Sequence, residues 1–207
     1  MTYKNIVIVY TADSYNPYKT MIAVISVRDR SGLIPFIAKL VKSGVDIVST
    51  RDICTDIRAA ELSCSTFQEI TGFPEILDNQ VTALHPKIFG GIMARNDEES
   101  HSITMHRLHI PPIEIVVVNF CDLPIMANPS IDDIDVEGPS LLRAAARNYK
   151  HVTVVTDPAD YDQVADEIGT IGSVTWRTRL RLASKAFGTL ATYDRLNADR
   201  FHELEAV

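Results

Sequence analysis

The residues able to do chemistry fall in a few short stretches. Arg28, Arg30 and Arg51 stand in VRDRSG (27–32) and STRDI (49–53). Guanidinium groups suit the forked oxygens of a carboxylate or phosphate. Asp135 and Glu137 precede Gly138, Pro139, Ser140 and the helical run 141–148, where a carboxylate complements a helix start. Arg147, late in that run, suits the other end of the dipole. Cys121, in NFCD (119–122), has no sequence partner to lower its pKa. It reads as a small buried hydrophobe ahead of a nucleophile. His101, His106 and His109 lie in a segment that reads as a surface helix, and no metal site is expected from that spacing.

One longer stretch, TGFPEILDNQVTALHPKIFGG (71–91), is held by Gly72, Pro74, Pro86, Gly90 and Gly91. It carries Gln80, Thr82 and His85, yet residues 80–83 contain neither a cation nor a strong base. Thr82 has one hydroxyl to donate, and His85, between Leu84 and Pro86, reads as a satisfied structural imidazole.

The elements that must position these groups follow from apolar patterning. IAVISV (22–27), VDIV (45–48), IEIVVVN (113–119) and VTVVT (152–156) read as buried strands, with residues 33–42 at helical spacing between the first two. Gly44 suits a helix C-terminal cap. Asp157-Pro158 stops the last strand and opens a helix with Asp as N-cap. Residues 173–193 read as a long helix. Strands buried on both faces and separated by helices imply an α/β fold with a mostly parallel sheet. Ligands gather at the carboxyl ends of such strands, so 27–32, 49–53 and 119–122 are expected loops at a site.

Composition narrows the class. A chain of 207 residues, 46% hydrophobic and 23% charged, is that of one ordinary globular domain. A formal charge of −7 lacks the basic footprint of nucleic-acid binding, and RTRLR (177–181) reads as the solvated face of a helix. Three cysteines without CxxC spacing predict neither a disulfide framework nor structural zinc, and fit a reducing cytoplasm. No apolar run reaches the roughly 18–20 residues of a membrane span. Residues 1–20 read as an extension whose short apolar run, 6–10, is an extra strand or a leader, ahead of a domain over 21–207.

The stretch 71–91, together with GGIMAR (90–95), PPIEIVVVN (111–119), IDVEGPSLLRAAARN (134–148) and VTVVTDPADY (152–161), resembles one family. It is similar to the IMP cyclohydrolase domain of the bifunctional AICAR transformylase/IMP cyclohydrolase family, over about residues 21–194. The resemblance implies a methylglyoxal-synthase-like three-layer α/β domain, no cofactor, a homodimer, and a stand-alone paralogue without the transformylase domain.

The family's chemistry is a dehydrating ring closure, tied to a Lys in RVKTLHP, a Tyr in NLYPF, an Asp before a Gly pair and a Lys in AAAKN. Matched position by position, the first loop reads QVTALHP (80–86), so Gln80 replaces the Arg and Thr82 the Lys. Cys121 stands at the Tyr, Asp135 is kept, Glu137 replaces the first Gly of the pair ahead of Gly138, and Arg147 replaces the last Lys. The family's Ser-x-Lys and Gly-Gly-Thr phosphate stretches become Arg28-Asp29-Arg30 and Arg51-Asp52-Ile53, after Thr50. The resemblance therefore implies catalytic positions at Asp135, Arg147, Thr82 and Cys121. Substrate positions are implied at Arg28, Arg30, Thr50, Arg51 and Asp52, and at Gln80, His85, Asn119, Glu137 and Gly138.

The changes cluster at ligand positions while framework motifs persist, which reads as a rebuilt pocket. Asp135 would position or deprotonate an amine, Arg147 polarise a carbonyl, and the three arginines hold an acidic group of a substrate other than the purine nucleotide. Two alternatives stand beside this reading. One is authentic IMP cyclohydrolase with unusual residues; the other is a non-catalytic paralogue serving as a binding partner.

Overall fold

The computed structural model describes residues 20–120 and 133–205; the run 6–10 and Cys121 lie outside them. Five strands form one parallel sheet: β1 (Met21–Val27), β2 (Val45–Ser49), β3 (Ser65–Thr66), β4 (Ile115–Asn119) and β5 (Thr153–Val155). Their order is β3-β2-β1-β4-β5. Apolar side chains on both faces of β1 and β4 are what a sheet covered by helices on each side requires. Ala23, Val24, Ile25, Val116 and Val118 are fully buried.

Helix α1 (Leu33–Lys42) turns Leu33, Phe36, Ile37 and Leu40 inward, the spacing of one helical face. It packs against α7 (Tyr161–Ile171), while α6 (Glu137–Arg147) packs against β4 and the long α8 (Trp176–Glu205). One continuous apolar core runs from Ile22 to Leu190. Asp157 caps a single 3-10 turn (Pro158–Asp160) through the Ala159 amide at 2.8 Å, and α7 follows directly. Among the described residues, no helix is long and apolar enough to cross a membrane.

Three local expectations are corrected. Residues 49–53 are not wholly a loop, because α2 (Arg51–Ala59) starts at Arg51. Thr50 is extended at its N-cap, Asp52 occupies the first turn, and Ile53, Cys54 and Ile57 face the core. That apolar set was hidden by the polar residues between its members.

The last six residues of 71–91 are also helical, as the start of α4 (Pro86–Met93), which follows the short α3 (Phe67–Thr71) and precedes α5 (Glu99–Leu108). Its close packing requires Gly91, where a Cβ would overlap the Pro111 carbonyl oxygen and press on Ile113. Finally, Cys54 and Cys64, for which no disulfide framework was expected, form a disulfide with Cα atoms 5.5 Å apart. Helix α2 and the return to β3 bring together two cysteines that carry no recognisable sequence spacing.

Candidate functional site

Strand register assembles the site. Ile25 lies opposite Ser49 and Val27 opposite Asn119, so β1, β2 and β4 end together. The chain leaving β1 is then pinned by Asn119. Its Oδ1 accepts from the Arg28 and Asp29 amides at 2.7 and 2.8 Å, and its Nδ2 donates to the Asp29 carbonyl at 3.0 Å. Asn119 thus positions Arg28 at the mouth of a cleft of about 1030 Å³. The other walls are the start of α2, the segment around Glu75 and Gln80, and residues 133–137, which lead into the first residue of α6.

Asp135 is an acid of that cleft whose environment opposes its charge. Burial pushes its pKa up, as does the charge of Glu137, against the Gly138 amide and the Arg28 guanidinium, which pull it down; the net direction is upward. Its Oδ1 accepts from Gly138 N at 2.9 Å, and its own amide donates to the Tyr193 hydroxyl at 2.7 Å. Gly138 is needed there: a Cβ would meet Asp135 Oδ2 at 2.5 Å and Val118 at 3.2 Å. A carboxylate held by a backbone amide, with its pKa raised toward neutrality, is suited to accept a proton.

Glu137 does something different. Its carboxylate accepts from the amides of Thr82, Ala83 and Leu84 at 2.7, 2.8 and 3.0 Å, and from the Thr82 hydroxyl. Three backbone N–H groups converging on one oxygen form an anion cradle. Here the chain's own side chain fills it. Thr82, a candidate catalytic residue, spends its hydroxyl on Glu137.

The arginines do not gather as a set. Arg30 bridges Asp52 and Asp56 along one face of α2. Arg51 reaches Glu75 Oε2 at 3.4 Å and Gln68 at 3.0 Å. Among the described residues, two arginines, Arg28 and Arg51, line the cleft, against five carboxylates, Asp52, Glu75, Asp133, Asp135 and Glu137. Burial works to raise the Asp52 pKa, but the Thr50 hydroxyl, the Ile53 amide and Arg30 more than offset it and hold the carboxyl below its usual value.

Other candidate positions serve the frame. His85 caps α4, its Nδ1 accepting from Lys87 N at 3.1 Å, and burial followed by the Lys87 charge holds its pKa down. Gln80 and Thr50 do line the cleft. Arg147 is exposed at the far end of α6, about 15 Å along the helix from Glu137 at ~1.5 Å per residue. Within one chain it does not join Asp135.

Glu75 escaped the sequence reading. Its carboxylate is mostly buried on the cleft wall, and Oε1 has no hydrogen-bond partner among the described residues. An acid inside an otherwise apolar TGFPEIL run was the available signal. Leu77, Asp78 and Asn79, next along that wall, all hold positive φ of 53°, 53° and 67°. This left-handed turn closes on the Ile76–Val81 bridge. Among the described residues, no group of three or more His, Cys, Asp or Glu is arranged to hold a metal.

The described architecture has close relatives. Residues 145–206 match the model of the AICARFT/IMPCHase bienzyme family. The chain is 42% identical over 184 residues to the bifunctional purine biosynthesis protein PurH of Listeria monocytogenes serovar 1/2a, and 41% identical to that of Halalkalibacterium halodurans. In each case the match takes in 86% of this chain and 36% of the relative, so the chain spans about a third of those proteins. A crystal structure of ForH superposes with a TM-score of 0.81 at 32% identity, over 88% of this chain and 97% of that one. With the five-stranded parallel sheet and these matches, the chain belongs to the AICARFT/IMPCHase family, as a relative of its IMP cyclohydrolase domain.

Proposed function

We propose that this domain is a cyclohydrolase-like enzyme, in which an amine attacks a carbonyl of the same molecule and water leaves. The observation that carries the reading is Asp135, a partly buried carboxylate of raised pKa on the wall of the cleft. Asp135 takes a proton from the amine nitrogen as it bonds to the carbonyl carbon and returns it to the carbonyl oxygen, which becomes a hydroxyl. With a primary amine, the second N–H proton passes to that hydroxyl as the C–O bond breaks, and water departs from a cyclic imine. Holding two tethered groups together supplies much of the acceleration, and proton transfer to a placed carboxylate adds roughly 10²–10⁴-fold.

The substrate of this reading is not the purine nucleotide, because the cleft carries more carboxylates than arginines. We propose a homodimer, in which Arg147 of a second copy, rather than of the same chain, polarises the carbonyl oxygen. Incubation with 5-aminopentan-2-one, followed by NMR for loss of the ketone carbon, tests the chemistry. Closure above the uncatalysed rate, abolished in Asp135→Asn, is the expected result. The PurH identity favours a second reading, authentic IMP cyclohydrolase. Robust conversion of the formylated nucleotide to IMP would establish it and sink the first. Failure of both substrates would leave the non-catalytic paralogue.

A further inference from the structure

Asp135 stands outside every helix and strand, so neither a ladder nor a helical turn holds its main chain. One buried side chain does so instead. The Tyr193 hydroxyl, on α8, accepts from the Asp135 amide at 2.7 Å and donates to the Asp135 carbonyl at 3.4 Å, across 58 positions of sequence. Burial, first, pushes the Tyr193 pKa above its ordinary value of 10.0, so the hydroxyl keeps the proton that lets it both accept and donate. The tyrosine is itself held from two sides. Its ring meets Phe120 with centroids 4.4 Å apart, and Phe120 directly follows the Asn119 that pins Arg28. Asp194, next along α8, pairs with Arg143 of α6 at 2.9 Å, and the two helices pack together. Tyr193 therefore ties the main chain of Asp135 to the end of β4, while the Gly138 amide takes the carboxylate.

We infer that Tyr193 is a positioning residue, whose hydroxyl fixes the main chain of Asp135 so that its carboxylate stays on the cleft wall. The inference rests on the ring-closing reading only in naming the proton that Asp135 accepts. Without the hydroxyl, the main chain at 135 is released toward water, and the burial that opposes the Asp135 charge is relieved. Tyr193→Phe removes none of the charged groups around that carboxyl. Glu137 beside it and Arg28 after β1 act on it directly. Arg51, Asp52, Glu75 and Asp133 share the cleft, and Asp194 acts on Tyr193 from α8.

Tyr193→Phe in the full chain, with aspartate labelled with carbon-13 at its carboxyl, tests this. The carboxyl signal missing from Asp135→Asn identifies Asp135, and its shift is followed against pH. The titration midpoint is expected to fall in Tyr193→Phe, toward the ordinary aspartate value of 3.8. With 5-aminopentan-2-one, kcat is expected to fall about tenfold or more at nearly unchanged KM, since misplacing a reacting group by about 1 Å costs about 10²-fold. A role confined to packing would lower the urea midpoint and leave the titration where it was. A titration midpoint that stays or rises in the folded variant overturns the inference. Should Tyr193→Phe not fold by circular dichroism, hydrogen exchange of the Asp135 amide in the wild type decides. Exchange about tenfold or more slower than in an unstructured chain is expected, and exchange at the unstructured rate overturns the inference. If the wild type leaves the amino-ketone open, the ring-closing reading fails while the titration still decides this one.

Discussion

Asp135 shows how a single residue couples function to stability. Its pKa is raised in the fold, first by burial, so the folded state holds the proton more tightly than the unfolded chain, whose carboxyl titrates near 3.8. The sign follows from linkage: its stabilising contribution is full below pH 3.8 and is lost as pH rises through the higher folded value. Asn keeps an acceptor for the Gly138 amide and carries no charge. Asp135→Asn is therefore expected to melt no lower than wild type at pH 7, with any advantage vanishing below pH 3.8. Ring closure should fall by about 10²-fold or more. In the wild type, the rate should climb with pH as Asp135 ionises, a limb above the ordinary Asp range. Tyr161 offers a second test away from the cleft. Its ring stacks on Phe36 with centroids 4.3 Å apart, and its hydroxyl is buried with no partner among the described residues. Burial, then the charges of Asp29 and Asp157, push its pKa up to about 12. Tyr161→Phe removes an unsatisfied group without removing the stack. A gain of up to about 1 kcal/mol in urea denaturation is expected, and a loss would show that the hydroxyl has a partner.

Among the elements, the tie between the start of α6 and the loop ahead of α4 matters most. It joins residues 55 positions apart, Thr82 and Glu137, through one carboxylate. Glu137→Ala leaves three amides to water and is expected to cost about 1–2 kcal/mol. Amide exchange at residues 82–84 should quicken in parallel. Unchanged exchange there would mean that the loop is held by other contacts. The left-handed turn at 77–79 lies in the same segment, and each non-glycine residue at such φ carries strain. Strain of this kind persists where surrounding structure enforces it; the Ile76–Val81 bridge closes across the turn, and the Glu137 tie lies on its C-terminal side.

Across the molecule, α8 is fastened to the edge beyond β5 by charge as well as by apolar packing. Asp160, 6% exposed, accepts from Arg181 at 2.9 Å and from Lys185 at 2.6 Å, and Lys185 also reaches Asp157 at 2.7 Å. Breaking a largely buried pair costs more than breaking an exposed one, because the remaining charge loses its compensation. Asp160→Asn is expected to lower stability by about 2 kcal/mol, seen as a lower urea midpoint at unchanged m-value. The run Arg177–Arg181, read from sequence as a solvated face, therefore contains a structural cation in Arg181, while Arg179 donates to the Val174 carbonyl at 2.7 Å.

The sequence by itself determined the framework. The apolar runs of β1, β2, β4 and β5 and the face of α1 are local periodicities, and burial on both faces makes them legible without any partner. It also allowed its motifs to be set beside the family's by resemblance, since residue types need no coordinates. Tertiary structure alone decided what those changes do. A charge in a sequence carries no record of which opposite charge it will meet, and the decisive partners are distant: Arg30 with Asp52 and Asp56, Arg51 with Glu75, and Glu137 with the amides of 82–84. The expected trio of arginines dissolved for that reason, since ion pairing follows proximity in the folded sheet rather than shared position in a motif. Packing likewise set the Cys54–Cys64 bond and placed Arg147 at the opposite end of its helix from Asp135. The polar character of the cleft is thus a sum over long-range neighbours, and only the fold performs that sum.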